Sequence, residues 1–165
     1  MTKKARSKIK CFSLTKIEDM VELLITVYNG TEEEVPAFNT RYPGILEAII
    51  GQVDADYFGQ ELYPKLEDKA AIFFYLLIKN RPFANGNKRI AAFCLSKFLQ
   101  EKLYAYKRYQ FFGKTELYNL GIGTAISEAE DFNKELKKLK TKIRKAIRSY
   151  QNRYLQIILY IEDDI

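Results

Sequence analysis

The chain has 165 residues, 47% of them hydrophobic, with 12 Tyr and 11 Phe, which fits one domain with a sizeable core and excludes a disordered chain. A net charge of +6, two cysteines and no histidine leave no disulfide framework, no metal-ligand cysteine spacing and no imidazole for proton transfer. No apolar run reaches membrane-span length, and the basic start (Lys3, Lys4, Arg6, Lys8, Lys10) leads into no apolar stretch with a cleavage site; no membrane contact, no secretory signal and a reducing cytoplasm are therefore expected.

The pattern predicts an almost wholly helical fold. Thr15 and Glu18 have capping-box spacing ahead of Met20, Leu23, Leu24, Val27 and Tyr28, which marks a first helix. Asn29 to Pro43 reads as a loop broken by Gly30, Pro36 and Pro43. A short helix follows from Gly44 to about Gly51, with Ile45, Leu46, Ile49 and Ile50 on its apolar side. Val53 to Pro64 is aromatic, contains Gly59 and has no helical period, so a small hairpin or an irregular loop fits it. Leu66 to Lys79 is apolar on nearly every side and predicts a central helix buried all round.

A second central helix is expected from about Lys88 to Lys102, with Cys94 a small buried hydrophobe rather than a nucleophile. Tyr104 to Phe112 reads as strand or loop, and Thr115 to Ile126 as a helix despite Gly121 and Gly123. In the last segment Ser127 and Glu130 have capping-box spacing. Apolar groups follow at Phe132, Leu136, Leu139, Ile143, Ala146, Tyr150, Ile157 and Ile161, at the alternating intervals of a heptad seam over much of the run. This helix either packs along its own domain or protrudes to meet another subunit or partner. Its basic block runs from Lys134 to Arg153 with Glu135 as the one acid, and is either a solvated face or a site for an acidic partner. The expected organisation is a helical domain over residues 1–126 and a long basic amphipathic helix over 127–165.

Between the two central helices lies Asn80-Arg81-Pro82-Phe83-Ala84-Asn85-Gly86-Asn87-Lys88-Arg89. Gly86 admits backbone conformations closed to other residues, and it stands just before a helix start, where N–H groups and the dipole favour an anion. Lys88 and Arg89 add fixed positive charge, and Asn87 supplies an amide. The parts suit a polyphosphate, although a polar turn between two core helices would look the same. The spacing is not that of a P-loop, whose glycines and Ser/Thr after Lys are absent.

This run resembles the Fic/Doc (Fido) signature, in which His precedes Pro-Phe and an acidic residue precedes Gly-Asn-Lys-Arg. The stretch Arg41-Tyr42-Pro43-Gly44-Ile45-Leu46-Glu47-Ala48-Ile49-Ile50-Gly51 is similar to the segment leading into the flap of Doc-like proteins. Asp68 to Lys79 and Lys88 to Leu99 are similar to their helices on either side of the signature. The resemblance covers roughly residues 40–126. It implies an all-α, Fido-type helical bundle with a short β-hairpin flap, here extended by the long C-terminal helix.

It also implies a death-on-curing, toxin-type transferase that binds ATP, with Mg²⁺ if active, and moves a phosphate or AMP to a Ser, Thr or Tyr hydroxyl of a target protein. Lys88 after Gly-Asn is the Doc-branch residue, which implies phosphate transfer. Gly86, Asn87, Lys88 and Arg89 would be the phosphate cradle and Phe83 the anchor of the loop. Tyr57 and Phe58 would lie in the flap that docks the target by strand addition. The second Arg of the AMP-transferring branch would fall at Ala92. No Ser/Thr-x-x-x-Glu-Gly/Asn segment is present, so an antitoxin would act in trans.

Two positions depart from the pattern. Arg81 stands at the His position, and a guanidinium cannot serve as a base. Asn85 stands at the acidic, metal-holding position and offers a neutral oxygen only. Either a pseudoenzyme that keeps its ligand or an active scaffold disabled by substitution accounts for both. The competing reading is a non-catalytic binding module for a protein partner, with self-association through the C-terminal helix as a further option. Nucleic-acid binding is third, permitted by the basic block and weakened by Glu162-Asp163-Asp164.

Overall fold

Every residue from Lys69 to Ile78 is buried in helix α3 (Leu66–Lys79), and the other helices are laid around it. The structure, a computed structural model, describes residues 8–32, 34–105 and 108–163. Helix α1 (Leu14–Tyr28) precedes α2 (Ile45–Val53), and a two-stranded antiparallel hairpin, β1 (Asp56–Tyr57) and β2 (Gln60–Glu61), leads into α3. Then come α4 (Asn87–Lys102), α5 (Lys114–Ile126) and the long α6 (Phe132–Asp163). Short 3₁₀ turns occupy Phe38–Thr40 and Ala129–Asp131. The fold is all-α with one small hairpin, as the sequence predicts.

Helix α3 is touched by α2, α4, α5 and α6, which is why it must be apolar around its whole circumference. Phe73 and Phe74 are fully buried, and Phe98 of α4 lies 5.9 Å from Phe73 between ring centres. Phe12, ahead of α1, sets its ring edge-on to both, at 6.2 Å from Phe73 and 5.2 Å from Phe98. Burial of each such ring stabilises the fold by roughly 1.5–3 kcal/mol, with edge-to-face geometry adding about 0.5–1.5 kcal/mol per pair.

Two helix starts differ from the sequence expectation. Helix α1 is capped by Ser13, whose Oγ accepts from the Lys16 N–H at 3.2 Å; Thr15 lies inside the helix. Ser127 closes α5 instead of opening α6, its hydroxyl donating to the Thr124 carbonyl at 2.9 Å, and α6 starts at Phe132 after a 3₁₀ turn. Among the described residues of Tyr104–Phe112 there is no strand.

Helix α6 packs on α3 through Leu136, Leu139, Ile143 and Ile147, all buried. Arg144 bonds Glu67 at 3.0 Å and Lys140 pairs with Asp68 at 3.2 Å, so part of the basic block answers the acidic first turn of α3. Tyr150 closes this contact against the rings of Tyr109 and Phe111. From Gln151 to Gln156 every side chain is exposed.

Both cysteines are buried. Burial, with the Asp54 carboxylate adding to it, pushes the Cys11 thiol up to about 12, and burial raises Cys94 as well. Both thiols thus stay protonated in the folded chain. At pH 8 neither should react with iodoacetamide until denaturant is added, as mass spectrometry of the intact chain will read. Because the folded thiol pKa values lie above the ordinary value of about 8.5, the stability they carry is intact below that pH and is lost as pH rises beyond it.

Candidate functional site

The loop between α3 and α4 is held from both sides. Lys79, at the end of α3, donates its ammonium to the carbonyls of Ala125 and Ser127, at the C-terminal end of α5, where positive charge is favoured. Pro82 is buried, and its carbonyl accepts the Tyr42 N–H at 2.9 Å. Phe83 is buried beside Phe38, ring centres 6.0 Å apart, and the Arg41 guanidinium lies 4.3 Å over the far ring. The segment before α2 is therefore a support for the loop.

One buried side chain closes the loop upon itself. Asn87 Oδ1 accepts the Phe83 N–H at 3.0 Å, and Asn87 Nδ2 donates to the Phe83 carbonyl at 2.7 Å. A single amide thereby satisfies both backbone groups of a buried residue that has no helix or strand to bond it, where an unmet group would cost about 1–3 kcal/mol. Gly86 caps α4 with φ 75°, and its carbonyl accepts the first helical bond, from the Ile90 N–H at 2.9 Å. The left-handed backbone is what selects glycine there, since an added Cβ would stand at an ordinary 3.6 Å from Val35.

The charges sit around this frame. Lys88 is exposed, its stem lying along α5 at Gly121, where an added Cβ would stand 3.6 Å from the Lys88 Cβ. Arg89 is half-buried with its guanidinium 4.9 Å over the Tyr28 ring. Arg81 is exposed and holds a left-handed φ of 46°, a conformation that costs a non-glycine residue about 1–2 kcal/mol. Asn85 is exposed, and its Oδ1 accepts the Gly86 N–H at 2.7 Å. One neutral oxygen, already engaged, is a poor donor set for Mg²⁺, and among the described residues no cluster of three or more His, Cys, Asp or Glu could hold a metal.

The hairpin forms the second part of the candidate site. Phe58 and Gly59 are the two residues of its turn, both with positive φ (50° and 79°), as a type I′ connection requires. Phe58 at this tip is 88% exposed and Tyr57 68%, their rings in edge contact at 4.5 Å.

Lys69 anchors the hairpin and carries no such signal in the sequence. It is fully buried, donating to the Val53 carbonyl at 3.0 Å and to Asp54 Oδ1 at 3.2 Å, with Glu61 Oε1 at 3.2 Å. Asp54 also accepts the Cys11 N–H at 3.0 Å. The sequence names no partner for it, because its partners lie in other elements. Val35, Phe38 and Tyr42 were hidden in the same way inside a segment that reads only as loop.

A protein-family model described as the Fic/DOC family matches residues 12–99, from Phe12 through the hairpin and the loop into α4. The Toxin Doc of Mycolicibacterium smegmatis (strain ATCC 700084 / mc(2)155) is 40% identical over 48 residues, which is 29% of this chain and 37% of that protein. The matched part thus spans little more than a third of that relative's length. Helices α5 and α6 lie beyond the family match.

Lys69 gives a test of the hairpin anchor. Lys69→Ala leaves two carboxylates facing each other and should lower unfolding stability in urea by about 2–4 kcal/mol. The same change at half-exposed Lys140 should cost less than about 1 kcal/mol.

Proposed function

The chain belongs to the Fic/DOC family, and on that premise we propose that it is a Doc-like, toxin-type protein whose loop receives the phosphates of ATP, with Arg81 standing where transfer needs a base. The observation that carries this reading is the Asn87 amide clamped on Phe83. It fixes the backbone ahead of α4, so that the first turn of α4 and the exposed Lys88 are set to face an anion, with the Gly86 N–H available once it leaves Asn85 Oδ1. Asn87 and Gly86 then shape the cradle, whereas Lys88 and Arg81 supply exposed charge. Arg89 joins them only by leaving its place over Tyr28.

Transfer requires the target's hydroxyl oxygen to bond the terminal phosphorus while the bridging P–O bond breaks and ADP leaves. The hydroxyl proton needs an acceptor, and Arg81 remains protonated at any ordinary pH. Loss of a general base costs about a hundredfold to ten-thousandfold in rate. The chain as it stands is thus a nucleotide-binding scaffold with its transfer step disabled. The group moved in a repaired chain is phosphate rather than AMP, on the strength of Lys88. We assign the exposed Tyr57 and Phe58 to target docking, and an antitoxin in trans to inhibition. No step is assigned to Mg²⁺, because Asn85 does not fit it.

The second reading, a binding module without nucleotide chemistry, draws on Phe58: an aromatic 88% exposed in a left-handed turn, against the ring of the likewise exposed hairpin residue Tyr57, contributes little to the core.

Labelled ATP separates the two. With a target-containing lysate, Arg81→His should transfer label from the γ-phosphate at least about a hundredfold faster than the unaltered chain. Label arriving from the α-phosphate would overturn the assignment of phosphate transfer. Arg81→Ala should weaken ATP binding about tenfold, the loss of one charge-assisted phosphate contact; unchanged affinity would remove Arg81 from the cradle, and no ATP affinity in either protein would favour the binding module.

A further inference from the structure

Helix α6 carries its charge on the side turned away from the core. Leu136, Leu139, Ile143 and Ile147 are buried on the side facing α3. Some of its cations are matched: Lys140 and Arg144 to Asp68 and Glu67 of α3, and Lys134 and Lys138 to Asp131 and Glu135 near the helix start. Lys137, Lys142, Lys145, Arg148 and Arg153 are exposed and have no carboxylate partner among the described residues. Lys138 with Lys142, Lys142 with Lys145, and Lys145 with Arg148 are like-charged neighbours on the helix surface, which works against the helix. The architecture makes no use of these charges.

The unmatched cations are ordered. Lys137 and Arg148 are eleven residues apart, as are Lys142 and Arg153. That spacing returns to within about 20° of the same direction after three turns and about 17 Å of rise. The two rows stand about 140° apart around the helix, with Lys145 between them. Lys134, Lys137, Lys138, Lys142 and Lys145, with Thr141, line a shallow hollow of about 310 Å³. No exposed side chain from Lys134 to Arg153 is apolar or aromatic.

We propose that this face of α6 binds the sugar–phosphate backbone of duplex DNA, one cationic row on each strand. A protein partner would need an apolar centre in the contact, and this face offers none. A single strand would need aromatic side chains on which bases stack, and a membrane surface an apolar helix face to insert; α6 has its apolar face on α3. A duplex backbone asks for positive charge alone. The major groove of DNA, about 12 Å wide, admits a helix with a row of cations on either flank, whereas that of duplex RNA is too narrow. Glu162 stands fourteen residues beyond Arg148 and nine beyond Arg153 on the same helix. Those separations, about 21 and 13 Å, exceed the roughly 8 Å over which charge acts at physiological salt.

The contact does not involve the loop ahead of α4, and its test is independent of nucleotide chemistry. Fluorescence anisotropy of a labelled short DNA duplex, titrated with the full chain at several salt concentrations, reads it. Log affinity should fall against log salt with a slope of about −4 to −5, at about 0.9 for each of the five unmatched cations. Lys142→Gln with Lys145→Gln should flatten the slope by about 2 and weaken low-salt binding about tenfold or more, with the helical circular dichroism kept. Lys16→Gln on α1 should change neither. A slope flatter than about −2 overturns the proposal, as does an equal loss from Lys16→Gln. So does affinity for polyglutamate, single-stranded DNA, duplex RNA or phosphatidylserine vesicles equal to or above that for the duplex.

Discussion

The reciprocal bond between the Asn87 amide and the backbone of Phe83 is the constraint on which the candidate site depends. A loop joining two buried helices passes through the interior, where its N–H and C=O groups find no ladder. Asn87 meets both groups of the deepest loop residue with one side chain. In doing so it fixes the entry into α4 and leaves Gly86 in the left-handed conformation that ends the loop. The ring of Phe83 over Phe38, and the Tyr42 N–H on the Pro82 carbonyl, hold the same loop from below. Packing, hydrogen bonding and helix capping thus converge on one turn, and its exposed charges are presented by a frame that is already rigid.

Charge is distributed on a second principle. Cations that hold the architecture are matched: Lys69 with Asp54 and Glu61, Lys79 with the C-terminal carbonyls of α5, Arg144 with Glu67. Lys69 is the strongest case, because a fully buried ammonium must find both charge and hydrogen bonds or be expelled. Its partners fix the base of the hairpin, so the exposed Tyr57 and Phe58 are carried on an anchored element. Arg81 and Lys88 are exposed and are matched to no carboxylate among the described residues, although the Lys88 stem packs on α5, and that is the physical ground for proposing them as ligand contacts.

Much of this was legible in the sequence where the determinant is local. The all-round apolarity of Leu66–Lys79 marks α3 to the residue, and Gly59 in an aromatic stretch narrows that segment to a hairpin or an irregular loop. The run from Asn80 to Arg89 marks both the turn and its family. Where two local signals overlap, the sequence misleads: Ser13 and Thr15 are both fair caps, and Ser127 can close one helix or open the next. What no local pattern shows is the non-local partner. The amide of Asn87 reads as a ligand contact until its two bonds to Phe83 are seen. Nothing in the sequence names a partner for Lys69 in a helix buried all round until Asp54, fifteen positions earlier in the chain, is placed beside it. The periodicity of α6 is continuous, so nothing in it announces that the helix leaves the core after Tyr150.

The central claim is that a pre-shaped loop ahead of α4 receives phosphate. Backbone amide shifts of the ¹⁵N-labelled full chain, followed as ATP is added, test it most directly. The account predicts saturable shifts centred on Gly86, Asn87 and Lys88, with Phe83 little moved because its bonds to Asn87 persist. Shifts confined to the lysine face of α6 between Lys134 and Lys145, or none at all, would contradict it.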